Sequence, residues 1–202
     1  MYKLKVFFVF LLGLSVSIAG CARVSVKRME TDKIVDVSGS WNDTDSRLVA
    51  EEMISDCLKR PWLNKFNETN NADPVIIVGT IINRSHEHIN SRLFTKNLEK
   101  SLLNSGLIKF VASRTEREEI REERDSQQEG YTQRETVTSK GNETGADYML
   151  KGSINSVKDE IKGKYVILYQ VNLELIDLGT NQKVWIGQKE IKKQVKKSKF
   201  SL

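Results

Sequence analysis

Tyr165-Val166-Ile167-Leu168-Tyr169-Gln170-Val171-Asn172-Leu173-Glu174-Leu175 decides the architecture. Its odd-numbered residues are all apolar, and its even-numbered face turns polar at Gln170, Asn172 and Glu174. Successive side chains of a strand point to opposite faces, so a period of two marks a strand with one face in a core and the other in water. That is the habit of antiparallel sheets. Working outward, Lys162-Gly163 closes a turn from an upstream strand, Tyr148 to Ile154. Downstream, Leu178-Gly179-Thr180-Asn181 turns into a last strand, Lys183 to Lys192, whose Val184 and Ile186 can pair across. The C-terminal third therefore reads as an antiparallel meander.

Further upstream the pattern changes. Pro74 opens Val75-Ile76-Ile77-Val78-Gly79-Thr80-Ile81-Ile82, apolar on both faces, which predicts a central strand. After the loop Asn83 to Ile89, Phe94, Leu98 and Leu102 fall at the spacing of one helix face, with Asn104-Ser105-Gly106 at its end. Ile108 to Ala112 is a second short strand. Strand, helix and strand make a βαβ unit with parallel strands and a right-handed crossover. Before it, a helix starts with Asp43 or Asp45 as N-cap and runs to Arg60, where Pro61 forbids continuation. Cys57 lies on its apolar stripe with Ala50, Ile54 and Leu58, as an inert core thiol. Thr115 to Asp125 is a charged, solvated helix, with Arg121–Asp125 and Glu118–Arg121 spaced to pair. Residues 126–145 are polar, part loop and part short helix. The whole is an α/β domain: a mixed sheet of four to five strands flanked by helices.

The N-terminus reads as an address. Met1-Tyr2-Lys3-Leu4-Lys5 is basic, and the apolar run from Val6 to Ile18 is too short for the roughly 20 residues that span a bilayer. It ends in Ile18-Ala19-Gly20-Cys21, which resembles the lipobox of bacterial lipoproteins. That resemblance implies removal of residues 1–20 and acylation of Cys21 on its sulfur and new amino group. Two or more acyl chains hold a protein to a membrane where one does not. Ala22 follows, where an aspartate typically retains such proteins in an inner membrane, so the address resembles an outer-membrane one. Residues 21–40 read as a tether, 41–192 as the domain and 193–202 as a basic, solubilising tail containing Lys193, Lys196, Lys197 and Lys199.

The formal charge of +5 falls to +3 once Lys3 and Lys5 leave with the leader, too mild to point to nucleic acid. Two cysteines exclude a disulfide scaffold. The sequence holds no P-loop, GxGxxG, GxSxG, HExxH or paired CxxC, and with two histidines it is poor in general bases. No cofactor is expected. His86 and His88 could offer two imidazoles from one side of an extended segment, but a catalytic zinc site wants three ligands and no third stands nearby. Asn83, Arg84, Glu87 and His88, in the loop after the central strand, are the candidate partner contacts, because α/β sheets place their sites at strand ends. Arg84 and Glu87 could equally tie that loop down.

Several pieces in order resemble the LpoB family of lipoproteins that activate bifunctional penicillin-binding proteins. They are the lipobox, Ser40-Trp41-Asn42-Asp43-Thr44-Asp45, Pro74-Val75-Ile76-Ile77-Val78-Gly79, Asn83-Arg84-Ser85-His86-Glu87-His88-Ile89, Asn104-Ser105-Gly106, Gly145-Ala146-Asp147-Tyr148-Met149-Leu150 with Gly152-Ser153-Ile154, and Lys183-Val184-Trp185. The resemblance implies a fold like the N-terminal domain of TolB, no catalysis, and docking on a peptidoglycan synthase that favours its polymerising and crosslinking state; the chain is expected to be a monomer. Family members with a long Pro-rich tether contrast with the short, proline-free one here. The alternative is an envelope scaffold lipoprotein that binds another protein without activating an enzyme.

Overall fold

The computed structural model describes residues 25–31, 33–36 and 38–196. The expected leader, the expected acylation site Cys21, and Lys197 and Lys199 lie outside the described residues. The chain divides into two units, Met1–Lys33 and Ile34–Leu202. In the first, residues 25–31 and 33 are exposed and lie in neither helix nor strand. The second carries α1 (Asp43–Leu58), α2 (Pro61–Asn70), β1 (Val75–Arg84), α3 (Ser91–Asn104), β2 (Lys109–Phe110), α4 (Arg114–Gln127), β3 (Tyr148–Ile161), β4 (Lys164–Asp177) and β5 (Lys183–Lys196). No helix among the described residues is long and apolar enough to cross a membrane.

The strands form one five-stranded sheet in the order β2-β1-β3-β4-β5. β1 is parallel to both β2 and β3, while β3–β4 and β4–β5 are antiparallel. The expected α/β class, βαβ unit and meander are all present. β1 is interior, but the middle position belongs to β3, which enters on the side of β1 away from β2. The core face takes Ile167, Tyr169, Val171, Leu173 and Leu175 of β4. They pack into one cluster with Val49, Ala50, Met53, Ile54 and Cys57 of α1 and Phe94, Leu98 and Leu102 of α3. Burial pushes the Cys57 thiol up to about 12, which makes it inert at neutral pH.

Several boundaries move, each for a physical reason. α1 is capped by Asn42, not by an aspartate: its side chain accepts from the Asp45 amide and the Asp45 carboxylate accepts from the Asn42 amide, a capping box. α1 stops at Leu58, but Pro61 opens another helix, α2, missed in the sequence. Proline is tolerated at the first helical position because that amide has no intrahelical partner. β3 runs on to Ile161 and β5 to Lys196, both past their expected ends. β3 and β4 stay paired residue for residue from Tyr148↔Asp177 to Ile161↔Lys164, turning at Gly163 with φ +79°. The end of β3 from Val157 to Ile161 is exposed on both faces, so backbone pairing to β4 holds it without any apolar alternation to announce it.

α4 is capped by a box between Ser113 and Glu116 and buries no side chain, as a solvated helix should. The expected pairs along it give way to others. Arg121 and Arg124 both turn to Glu143, at 2.7 and 2.9 Å, and Lys140 holds Asp125 at 2.6 Å. The following loop thus supplies the countercharges, and the Arg121 bond holds the Glu143 carboxyl down at about 2.

Candidate partner-binding surface

β1 continues through Asn83 and Arg84, which sit opposite Ile154 and Asn155 of β3. Both were expected in the loop. A bulge between Val78 and Ile81 shifts the register just before them, and parallel pairing to β3 carries the strand past its apolar run. Asn83 then staples the loop that follows. Its Oδ1 accepts from the Ser85 amide (2.9 Å) and hydroxyl (2.7 Å), and its Nδ2 donates to the Glu87 carbonyl (2.8 Å). His86 also faces an internal partner: its amide donates to Ser156 Oγ (3.0 Å), and its Nδ1 lies 2.6 Å from the same oxygen. Of the four candidate contacts, only Arg84 and His88 are exposed.

Glu87 points inward, with 18% of its side chain exposed. Its Oε1 accepts from the Tyr169 hydroxyl (2.7 Å) and its Oε2 from the Trp41 amide (3.1 Å). Tyr169 is fully buried, and its hydroxyl also lies 3.1 Å from the Gly39 carbonyl. Burial, reinforced by the Glu87 charge, raises the Tyr169 phenol well above its usual range. Glu87 therefore clamps the N-terminal segment onto the domain. Glu87→Ala should lower the unfolding free energy by about 2 kcal/mol, since it leaves the Trp41 amide without that acceptor and the Tyr169 hydroxyl with the Gly39 carbonyl alone, whereas Glu87→Gln keeps the Tyr169 bond and should cost about half as much. Urea unfolding midpoints check this; a wild-type midpoint for Glu87→Ala overturns the clamp.

The clamped segment was expected to be free tether, yet Ile34 onward belongs to the folded unit. Gly39 is buried because Tyr165 and Val195 lie where its Cβ would be. Trp41 sets its ring edge-on against Phe94 (6.0 Å) and Tyr169 (5.6 Å) and donates from Nε1 to Ser46 Oγ at 2.6 Å. Below it Lys193 Nζ reaches Asp36 (2.7 Å), Asp45 (2.6 Å) and the Ser40 carbonyl (3.2 Å). Lys193 was expected in a solubilising tail. It stands instead on the core side of β5, opposite Ile167, with only 10% of its side chain exposed. A long aliphatic stem can be buried so long as its ammonium finds partners.

An open groove lies between α1 and α3, about 460 Å³ in volume. Ile54, Leu58 and Leu107 supply its apolar surface, and Arg47, Lys59 and Lys100 stand around it. Ile54 and Leu58 belong to the apolar stripe of α1 that the sequence announces; the groove beside them was not foreseen. The available signal was Leu103 and Leu107, exposed apolar residues that fall off the Phe94, Leu98, Leu102 stripe.

The family model of the peptidoglycan-synthase activator LpoB matches residues 45–191. The chain belongs to the LpoB family. This is a lipoprotein family of the bacterial envelope whose assignment implies regulation of peptidoglycan synthases. Among solved structures, the NMR structure of E. coli LpoB is 16% identical, covering 89% of this chain and 86% of that one, with a TM-score of 0.40. The LpoB C-terminal domain from Salmonella enterica is 17% identical, covering 65% of this chain and 93% of that one, with a TM-score of 0.33. Lipoprotein GNA1162 from Neisseria meningitidis is 12% identical over 60% of this chain and 83% of that one, with a TM-score of 0.39. No curated protein matches the chain. The LpoB match begins inside α1, so Asp36, Gly39 and Trp41 precede it, while Glu87, Tyr169, the rest of α1, all of α3 and most of β5 lie within it.

Proposed function

We propose that this chain is a non-enzymatic regulator, anchored through an acylated Cys21 in the outer membrane and facing the periplasm, that binds a bifunctional penicillin-binding protein and activates it. The observation that carries this reading is the LpoB match across residues 45–191. The lipobox Ile18-Ala19-Gly20-Cys21 and the following Ala22 support the anchor and its membrane. Activation without catalysis is a coupling free energy: a ligand that binds one state of its partner more tightly shifts the population toward it. Couplings of about 1–3 kcal/mol raise the favoured state 5- to 150-fold. The unit that holds the fold starts at Ile34; in this reading residues 21–33 are the tether from the lipid. Fully extended it reaches at most ~45 Å, so the synthase segment it meets lies close to the anchored leaflet.

Purified mature protein added to the host's bifunctional synthases should bind one of them and raise its glycan polymerisation rate several-fold. Absence of binding to every synthase at micromolar concentration overturns the reading. Binding with an unchanged rate replaces it with a scaffold role. In cells, Cys21→Ser should move the protein from the membrane to the soluble fraction, and mass spectrometry of the native protein should find the acyl chains on residue 21.

A further inference from the structure

We propose that the groove between α1 and α3 is the docking surface, and that its occupant is an amphipathic segment of the synthase bearing carboxylates beside apolar side chains. This rests on the functional reading above and adds the place and the chemistry of the contact. The groove exposes apolar surface that an isolated domain would be expected to cover: Leu107 is 49% exposed, and Leu58 is only partly buried at the edge of the core. Its volume of about 460 Å³ lies within the range of clefts that enclose ligand groups. On the other side of α3 a second hollow shares Lys100 and Asn104 and adds Leu103, Phe110 and Ile120, so apolar surface wraps the C-terminal half of that helix.

Charge selects the occupant. Arg47, Lys59 and Lys100 face the groove against a single acid, Glu51, which Arg47 already holds at 3.5 Å. Among the described residues Lys59 and Lys100 enter no ion pair; Lys59 feels the nearby Asp56 carboxylate, while Lys100 stands at the apolar floor with its charge uncompensated by a bonded acid. Carboxylates opposite them would speed encounter and fix register, while apolar anchors on the groove floor would supply affinity. Other surfaces fit less well. The outer face of β3, β4 and β5 carries exposed Val157 and Ile186 among polar groups of mixed sign, Lys151, Asn172, Glu174, Gln188 and Glu190, and its Glu174 is already bound by Lys183 at 2.8 Å. The loop after β1 spends Asn83 and Glu87 on internal bonds.

The test measures affinity of the full mature chain for the purified periplasmic part of the host synthase, across a range of salt. Wild type should bind, and its affinity should fall as salt rises. Lys59→Glu with Lys100→Glu should weaken binding at least ten-fold at low salt and flatten the salt dependence. Ser101→Tyr, which fills the groove from α3, should weaken it at least ten-fold at every salt concentration. Thermal melts identify the variants that remain folded, and the exposed charge reversals stand even where the tyrosine disturbs packing. Folded groove variants that bind within two-fold of wild type overturn the proposal. So does loss of binding in Arg84→Ala with His88→Ala while the groove variants bind normally, which would place the contact on the loop. If wild type binds no synthase, the functional reading itself falls, and the groove assignment with it.

Discussion

Phe94→Ala lowers the free energy of unfolding by about 4 kcal/mol, in the range of large-to-small changes in a closed core. Phe94 is fully buried near the start of α3, and its ring meets Trp41 edge-on. Truncation removes the transfer free energy of the ring and leaves a cavity between the helix, the sheet and the N-terminal segment. The neighbours cannot close around it, because Trp41 is held at its amide by Glu87 and at its indole by Ser46. Domains of this kind are stable by some 5–15 kcal/mol, so the variant keeps only part of its margin. The midpoint of thermal unfolding should fall by roughly 8–16 °C. Leu103→Ala, on the same helix but exposed, should stay within about 0.5 kcal/mol of wild type. Equal melting of the two variants would place the core elsewhere.

Lys193→Met has the next largest effect, a loss of about 3 kcal/mol. The cost comes less from the missing attraction than from the carboxylate left behind. Asp45 is 9% exposed and accepts from the Asn42 amide as well as from Lys193, so part of its charge stays compensated at the helix start. Asp36 is half in water and recovers hydration, so it adds little. The effect carries a pH signature. The hydrogen bond from Lys193 holds the Asp36 carboxyl below the usual carboxylate range. A group that titrates lower folded than unfolded contributes stability above about pH 4 and loses it as pH falls through the folded value. For Lys193, burial pulls the ammonium down, and its bonds to Asp36 and Asp45 more than reverse that, leaving it raised. Its contribution is complete below about pH 10.4 and is lost as pH rises through the folded value. The gap between wild type and Lys193→Met should be flat from about pH 5 to pH 9 and narrow on both sides. A gap independent of pH from 2 to 12 would mean that Lys193 acts by packing alone.

For the candidate contacts Asn83, Arg84, Glu87 and His88, the sequence did not reveal the direction of the side chains. Asn83, Glu87 and His86 are polar residues in a loop-like segment, and nothing local distinguishes one that faces a partner from one that faces Tyr169, 82 residues away from Glu87 along the chain. The groove escaped because its walls come from two helices separated by α2 and β1. Arg47 and Lys100 each read locally as an ordinary solvated side chain.

Local pattern alone determined the strand pairing of the C-terminal third, the βαβ unit, the apolar stripe of α3 and the lipobox-like N-terminus. Each depends on a period or spacing of a few residues, which the backbone imposes wherever the segment sits. Tertiary structure alone decided that Lys193 is an anchor inside the domain, that Glu87 holds Trp41 and Tyr169, and that residues from Ile34 onward belong to the folded unit. Whether a charge is solvated or buried depends on what stands opposite it, and here the opposing groups lie 46 to 157 positions away in sequence.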